Sequence, residues 1–170
     1  MHKRHFLLAT SLALTFSAAF AGPLATPTGN VVLTISGKIG ESNSPKGAQF
    51  DMAMIEKLPQ HSFTTLTPWE KQPIQFTGPL LRDVLAAVKA QGIVIKAMAL
   101  NDFQSSIPVE DAMKYDMVMA LRMNGQPISV KTKGPLFIVY PFDAKPELRS
   151  AVYYERSPWQ LNRSPWSKPQ

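Results

Sequence analysis

Two hydrophobic periods divide this chain. Val31, Leu33 and Ile35 alternate, the period-two pattern of a half-buried strand over residues 31–39. Phe50, Met54 and Leu58 recur at helical spacing, which predicts a short helix over 49–57 ended by Pro59. Residues 63–66 predict a short strand. Gly78-Pro79 opens the clearest helix, because proline at the first helical position loses no hydrogen bond. Leu81, Val84, Leu85 and Val88 form its apolar face, and Gly92 supplies a left-handed stop. Residues 93–100 read as a strand turned by Asn101-Asp102. Pro108 opens a short helix to Lys114. Asn124-Gly125 between 117–123 and 127–131 is a hairpin signal. Residues 136–140 read as a buried strand halted by Pro141, and Trp159-Gln160-Leu161 as a last edge strand. Short strands, hairpins and two or three helices, without repeats, make the fold class α+β.

The first 21 residues follow a different logic. His2, Lys3, Arg4 and His5 form a basic start, residues 6–20 are an uncharged apolar run, and Ala19-Phe20-Ala21 is a small-x-small cleavage pattern. The apolar run is shorter than the roughly 20 residues of a membrane span. Residues 1–21 are therefore expected to be a signal peptide cleaved before Gly22. Residues 22–30, rich in Pro, Thr and Gly, are expected to be a flexible leader, and 31–170 one domain. The expected location is the periplasm.

Charge narrows the partners. The chain carries 18 Lys and Arg against 12 Asp and Glu, a net +6. Losing Lys3 and Arg4 leaves 16 against 12, or +4. No run of five basic residues occurs, so nucleic acid is not the expected partner, and a small anionic ligand suits these cations better. There is no cysteine. Stability in an oxidising compartment must then come from packing without disulfides. His61 is the sole histidine after the leader, which excludes a histidine-rich zinc site. Asp51, Glu56, Asp111 and Asp116 lack a pattern for paired acid–base work, and no GxxxxGK phosphate loop is present.

Five blocks in fixed order remain: FTGPLLRDVLAAV from Phe76, ALNDF from Ala99, SIPVED from Ser106, KGPLFIVYP from Lys133, and WQL from Trp159. Together they resemble the molybdopterin-binding domain of the sulfite-oxidase fold, with mixed β-sheets and a few short helices. The enzymes of that fold bind molybdenum through a cysteine thiolate, which this chain lacks. The chain is similar to small exported members without that cysteine. Some of these are pterin-responsive periplasmic regulators, which bind a reduced pterin and control a membrane-bound cyclic-di-GMP enzyme. The resemblance implies a pterin or molybdopterin-like ligand, no metal, no catalytic residue, and the periplasmic domain of such an enzyme as partner. The alternatives are an oxidoreductase using a molybdenum cofactor without a protein sulfur, and a docking protein without ligand. Methionine thioethers are poor substitutes for a thiolate because they stay neutral and bind a hard, high-valent metal weakly.

The resemblance also nominates ligand-binding residues, each with a structural alternative. Trp69, in Thr67-Pro68-Trp69 near where the enzymes place their cysteine, would stack on a pterin ring or pack as a core or rim residue. Arg82 would meet an anionic group or simply sit on a solvated helix face beside Asp83. Asn101 and Asp102 would bond the aminopyrimidinone edge or form an Asx turn. Phe103 stands where relatives tend to have tyrosine, which removes a hydroxyl. Lys133 and Gly134, with Lys131, would line the ligand and neutralise a phosphate, or form an ordinary exposed loop. Tyr140 would donate to ligand or be a core residue with a satisfied hydroxyl.

Overall fold

The computed structural model describes residues 23–167. The expected signal peptide lies outside them. Strand β1 (Val31–Gly37) pairs antiparallel with β2 (Ala48–Asp51) and parallel with the last strand, β11 (Leu161–Ser167). Strands β5 (Val94–Ala99) and β6 (Gln104–Pro108) complete a five-stranded sheet in the order β2-β1-β11-β5-β6. A four-stranded sheet runs β3 (Gln60–Thr65), β4 (Ile74–Pro79), β8 (Arg122–Met123), β9 (Gln126–Pro127). Strands β7 (Val118–Ala120) and β10 (Phe137–Val139) form a buried antiparallel pair.

Among the described residues, four short α-helices pack around these sheets: α1 (Met52–Lys57), α2 (Leu81–Ala87), α3 (Val109–Lys114) and α4 (Ala151–Glu155). The architecture is α+β, as the alternating periods predict. One core joins Leu33, Ile35 and Phe50 to Phe76, to Val84 of α2 and to Phe137 and Tyr140. No helix among the described residues is long and apolar enough to cross a membrane.

Several elements depart from their sequence signals. The helix expected over 49–57 begins as strand β2, because Phe50 pairs with Leu33, and becomes helical only after Asp51 caps Met54 N–H at 2.9 Å. Pro79 closes strand β4, and helix α2 starts two residues later behind Leu80. The left-handed residue after α2 is Lys89, at φ 48°, and not Gly92. The strand expected at the edge near Trp159 is instead β11, central in its sheet and starting at Leu161. The hairpin is where Asn124-Gly125 puts it, both residues at positive φ as a two-residue turn requires, though its arms are shorter. The leader expected to be flexible is tied down. Thr28 and Gly29 N–H donate to the Asp51 carboxylate at 2.9 and 2.8 Å, and Asn43 Nδ2 donates to the Ala25 carbonyl at 2.6 Å.

Candidate functional site: an aromatic cavity beside Trp69

Two cavities stand out among the described residues. The larger, about 480 Å³, lies between the leader and helices α1 and α2, lined by Leu24, Phe50, Met54, Leu58 and Ala86 with Lys57 and Asp83. It contains none of the residues nominated from sequence. The smaller, about 270 Å³, is lined by Trp69, Asn101, Phe103, Tyr154, Glu155, Ser157, Pro158 and Trp159. Its aromatic walls make it the candidate site.

Four separate segments build this cavity. Trp69 sits on the loop between β3 and β4. Asp143 holds the start of that loop: its carboxylate accepts Leu66 N–H at 2.7 Å, and its own N–H donates to Thr65 Oγ1 at 3.0 Å. The Leu66 N–H, and after it the Arg149 guanidinium, hold the Asp143 carboxyl below its usual range. The Trp69 ring meets Phe137, Phe142, Tyr154 and Trp159 edge to face, with centroids 5.2–6.3 Å apart. Such contacts fix its plane at the cavity wall.

The β5–β6 turn supplies Asn101 and Phe103. Asn101 Oδ1 accepts Phe103 N–H at 3.2 Å, an Asx turn that turns the Phe103 ring to the cavity. Helix α4 supplies Tyr154 and Glu155 and is held from below. Ser105 Oγ donates to the Glu155 carbonyl at 2.8 Å, and Arg156 donates to the buried Asp111 carboxylate at 2.9 Å. The segment from Ser157 to Trp159 is fixed next. Ser157 Oγ donates to the Tyr153 carbonyl, Ile138 N–H donates to the Pro158 carbonyl, and Gln160 N–H donates to the Lys133 carbonyl.

Of the nominated residues, Trp69 and Asn101 line the cavity, and Lys133 stands at its margin, its Nζ 5.9 Å from the Trp159 ring centroid. That ammonium is already bound to Glu70 at 2.7 Å, so its charge is largely neutralised. The others do not converge. Arg82 pairs with Asp116 at 2.6 Å on the exposed side of α2, because helical spacing turns it away from the buried face of Leu81, Val84 and Leu85. Asp102 occupies the left-handed turn position, φ 62°, and is exposed outside the cavity lining. Gly134 makes its close approach to its own loop: a β-carbon there would collide with the Ile128 carbonyl. Tyr140 is fully buried and donates to Asp111 at 2.7 Å. Burial, then that hydrogen bond, pushes its phenol well above the ordinary tyrosine range.

Phe103, Tyr154 and Trp159 are the walls that sequence reasoning left out as ligand contacts. Their aromatic types were visible, but their meeting depends on a turn and a helix brought together across the fold.

Residues 30–143 match the family model described as the oxidoreductase molybdopterin binding domain. The chain belongs to that family. Its fold is accordingly the sulfite-oxidase type expected from the five sequence blocks. No curated protein matches the chain. The matched region supplies Trp69, Asn101 and Phe103, while Tyr154 and Trp159 lie beyond its end.

The family implies molybdopterin, and its parts fit this site unequally. The cavity falls just under the roughly 300–1,000 Å³ of drug-sized ligand sites and has four aromatic residues in its lining, so by size and apolar character it suits a single bicyclic ring. The Thr67 hydroxyl, two residues before Trp69, is buried without a hydrogen-bond partner among the described residues, but Thr67 is not part of the cavity lining. For the metal the donor set does not fit. The chain has no thiolate, and no cluster of three or more His, Asp or Glu among the described residues could hold a metal ion.

Proposed function

We propose that this protein is an exported, non-catalytic pterin-binding module that reports its ligand to the periplasmic domain of a membrane-bound cyclic-di-GMP enzyme. The observation that carries the reading is the cavity walled by Trp69, Phe103, Tyr154 and Trp159, in a molybdopterin-binding domain whose sequence contains no cysteine. A reduced pterin is flat and polar-edged. Its faces gain about 1–3 kcal/mol from each aromatic stacking partner. Its edge needs donors and acceptors, for which Asn101, Ser157 and Glu155 stand at the wall.

The regulatory part rests on the pairing of a ligand site with the missing thiolate. Without a sulfur ligand, the redox step of the related enzymes has no anchoring donor in this chain, whereas binding of the organic ring needs none. Helix α4 connects site and surface. Tyr154 faces the cavity, while Val152 on the same helix is about half exposed. Ligand stacking on Tyr154 would bear on that helix, which is the surface we assign to the partner.

Purification from the periplasm tests the whole reading. The released small molecule should have the mass and fluorescence of a pterin, and N-terminal sequencing should begin at or near Gly22. One molybdenum per chain, with dye-coupled turnover, would instead establish the oxidoreductase alternative. A chain that yields no small molecule on denaturation would be a ligand-free docking protein.

A further inference from the structure

Among the described residues, strand β3 lies at the end of its sheet and pairs only with β4. The direction of its free backbone groups follows from β4. Leu121 N–H donates to the Thr77 carbonyl, and Asn124 N–H to the Gln75 carbonyl, so Gln75 and Thr77 face β8. Ile74, Phe76 and Gly78 therefore face β3, opposite Thr65, Phe63 and His61. The N–H and C=O groups of Ser62 and Thr64 then point outward. Both residues are exposed, and neither has a backbone partner on that side among the described residues. One step further along, Leu66 N–H is closed by the Asp143 carboxylate.

This edge lacks the usual protective devices. Residues Gln60–Thr65 contain no charge, no proline and no bulge in their register. Its open stretch is also self-complementary. An antiparallel copy placed on a two-fold axis through Phe63 sets Ser62 opposite the second Thr64, and Thr64 opposite the second Ser62. Both are hydrogen-bonded pairs, giving four N–H···O bonds. The two Phe63 residues then form the closer, non-hydrogen-bonded pair, where aromatic side chains meet across the strands. Phe63 is half-buried against Phe76, ring centroids 6.3 Å apart, so part of its ring remains free for that contact.

We infer that β3 joins two copies of this chain through antiparallel edge pairing at Ser62 and Thr64. The contact is isologous and closes on itself, which blocks further growth of the sheet at this edge. Four ladder bonds bury less than the roughly 1,000 Å² of a stable interface, so the dimer belongs to the weak class. The inference is independent of the pterin site.

Sedimentation equilibrium on the exported chain, from about 10 μM to about 1 mM, should show a monomer–dimer equilibrium. Thr64→Pro removes an outward N–H, which an edge strand tolerates, and Thr64→Lys places a charge on the edge. Each should raise the dimer Kd at least about tenfold while the melting curve stays close to wild type. If the proline variant does not fold, the lysine variant decides. The absence of cysteine allows a register test. Phe63→Cys should form a disulfide-linked dimer under mild oxidation much faster than Met113→Cys at an exposed position on α3. A wild-type chain monomeric throughout the range overturns the inference. So does a dimer indifferent to the folded Thr64 variants, or crosslinking no faster at 63 than at 113.

Discussion

Trp69 and Trp159 meet edge to face, their ring centroids 5.2 Å apart and their planes at 85°. One belongs to the β3–β4 loop and the other to the approach to the last strand, so the cavity between them exists only in the folded chain. Trp159→Ala should weaken binding of a reduced pterin by about 1–3 kcal/mol, up to roughly a hundredfold. Trp69→Ala should lose similar affinity and also about 3 kcal/mol of stability, because its ring packs against Phe137, Phe142 and Tyr154 as well. Fluorescence titration beside thermal melts separates the two effects. A folded Trp159→Ala that binds as wild type would remove the stacking assignment.

Arg82 and Asp102 provide the contrast. Neither lines the aromatic cavity. Arg82→Ala should leave pterin affinity unchanged and cost at most about 1 kcal/mol, because its pair with Asp116 is solvent-screened. Asp102→Ala should likewise leave affinity unchanged. A tenfold loss in folded Asp102→Ala would place the ligand on the outer side of the β5–β6 turn, and one in folded Arg82→Ala would place it at the exposed face of α2.

Arg156 is expected to matter through support and not contact. It reaches the Asp111 carboxylate, which Tyr140 also contacts, and so ties helix α4 to the core. Arg156→Ala leaves that carboxylate with the Tyr140 hydroxyl as its remaining side-chain partner and should cost about 3 kcal/mol. Ligand affinity should fall with it as Tyr154 loses its position. Chemical denaturation with and without pterin measures both.

Gly78 and Gly134 have no room for a side chain. A β-carbon at Gly78 would collide with the Met119 carbonyl, and one at Gly134 with the Ile128 carbonyl. These obstacles are backbone atoms, which cannot rotate away. Gly78→Ala and Gly134→Ala should each lose about 3 kcal/mol of stability, read as a shift in denaturant midpoint at unchanged slope. Variants as stable as wild type would show that both backbone contacts relax freely.

Asp51 gives an acid-sensitive tie. N–H groups of Gly29, Met54 and Thr28 hold its carboxyl below the ordinary value of 3.8. A depressed folded value means the stabilisation is full above the unfolded value and disappears as pH falls through the folded one. The leader and the start of α1 should therefore loosen below about pH 4. Asp51→Asn should melt lower at neutral pH and lose part of the decline seen on acidification. A melting profile from pH 2 to pH 6 identical to wild type would refute this.

Local chemistry explains which elements were legible. Asn124-Gly125 forms its turn because both residues tolerate positive φ, and Pro108 opens α3 because its fixed φ suits a helix start. Val94–Ala99 alternates between buried and half-exposed positions as a strand with one covered face does. Phe50 misled because apolar spacing can fit either a helix or a strand, and pairing with Leu33 decided for the strand. Gly92 misled because a nearby residue, Lys89, took the left-handed position instead.

By itself the sequence determined an α+β domain, the family blocks, the absence of a thiolate and two members of the cavity, Trp69 and Asn101. These depend on residue type and short-range spacing. Tertiary structure decided that β11 lies between β1 and β5, that Trp159 and Tyr154 face Trp69, and that Arg82 and Tyr140 point elsewhere. Those outcomes depend on strand register and on hydrogen bonds between distant segments, such as Gln160 N–H to Lys133 and Arg156 to Asp111. A side chain's direction follows from the pairing of its backbone, and that pairing is made by residues far away in the chain.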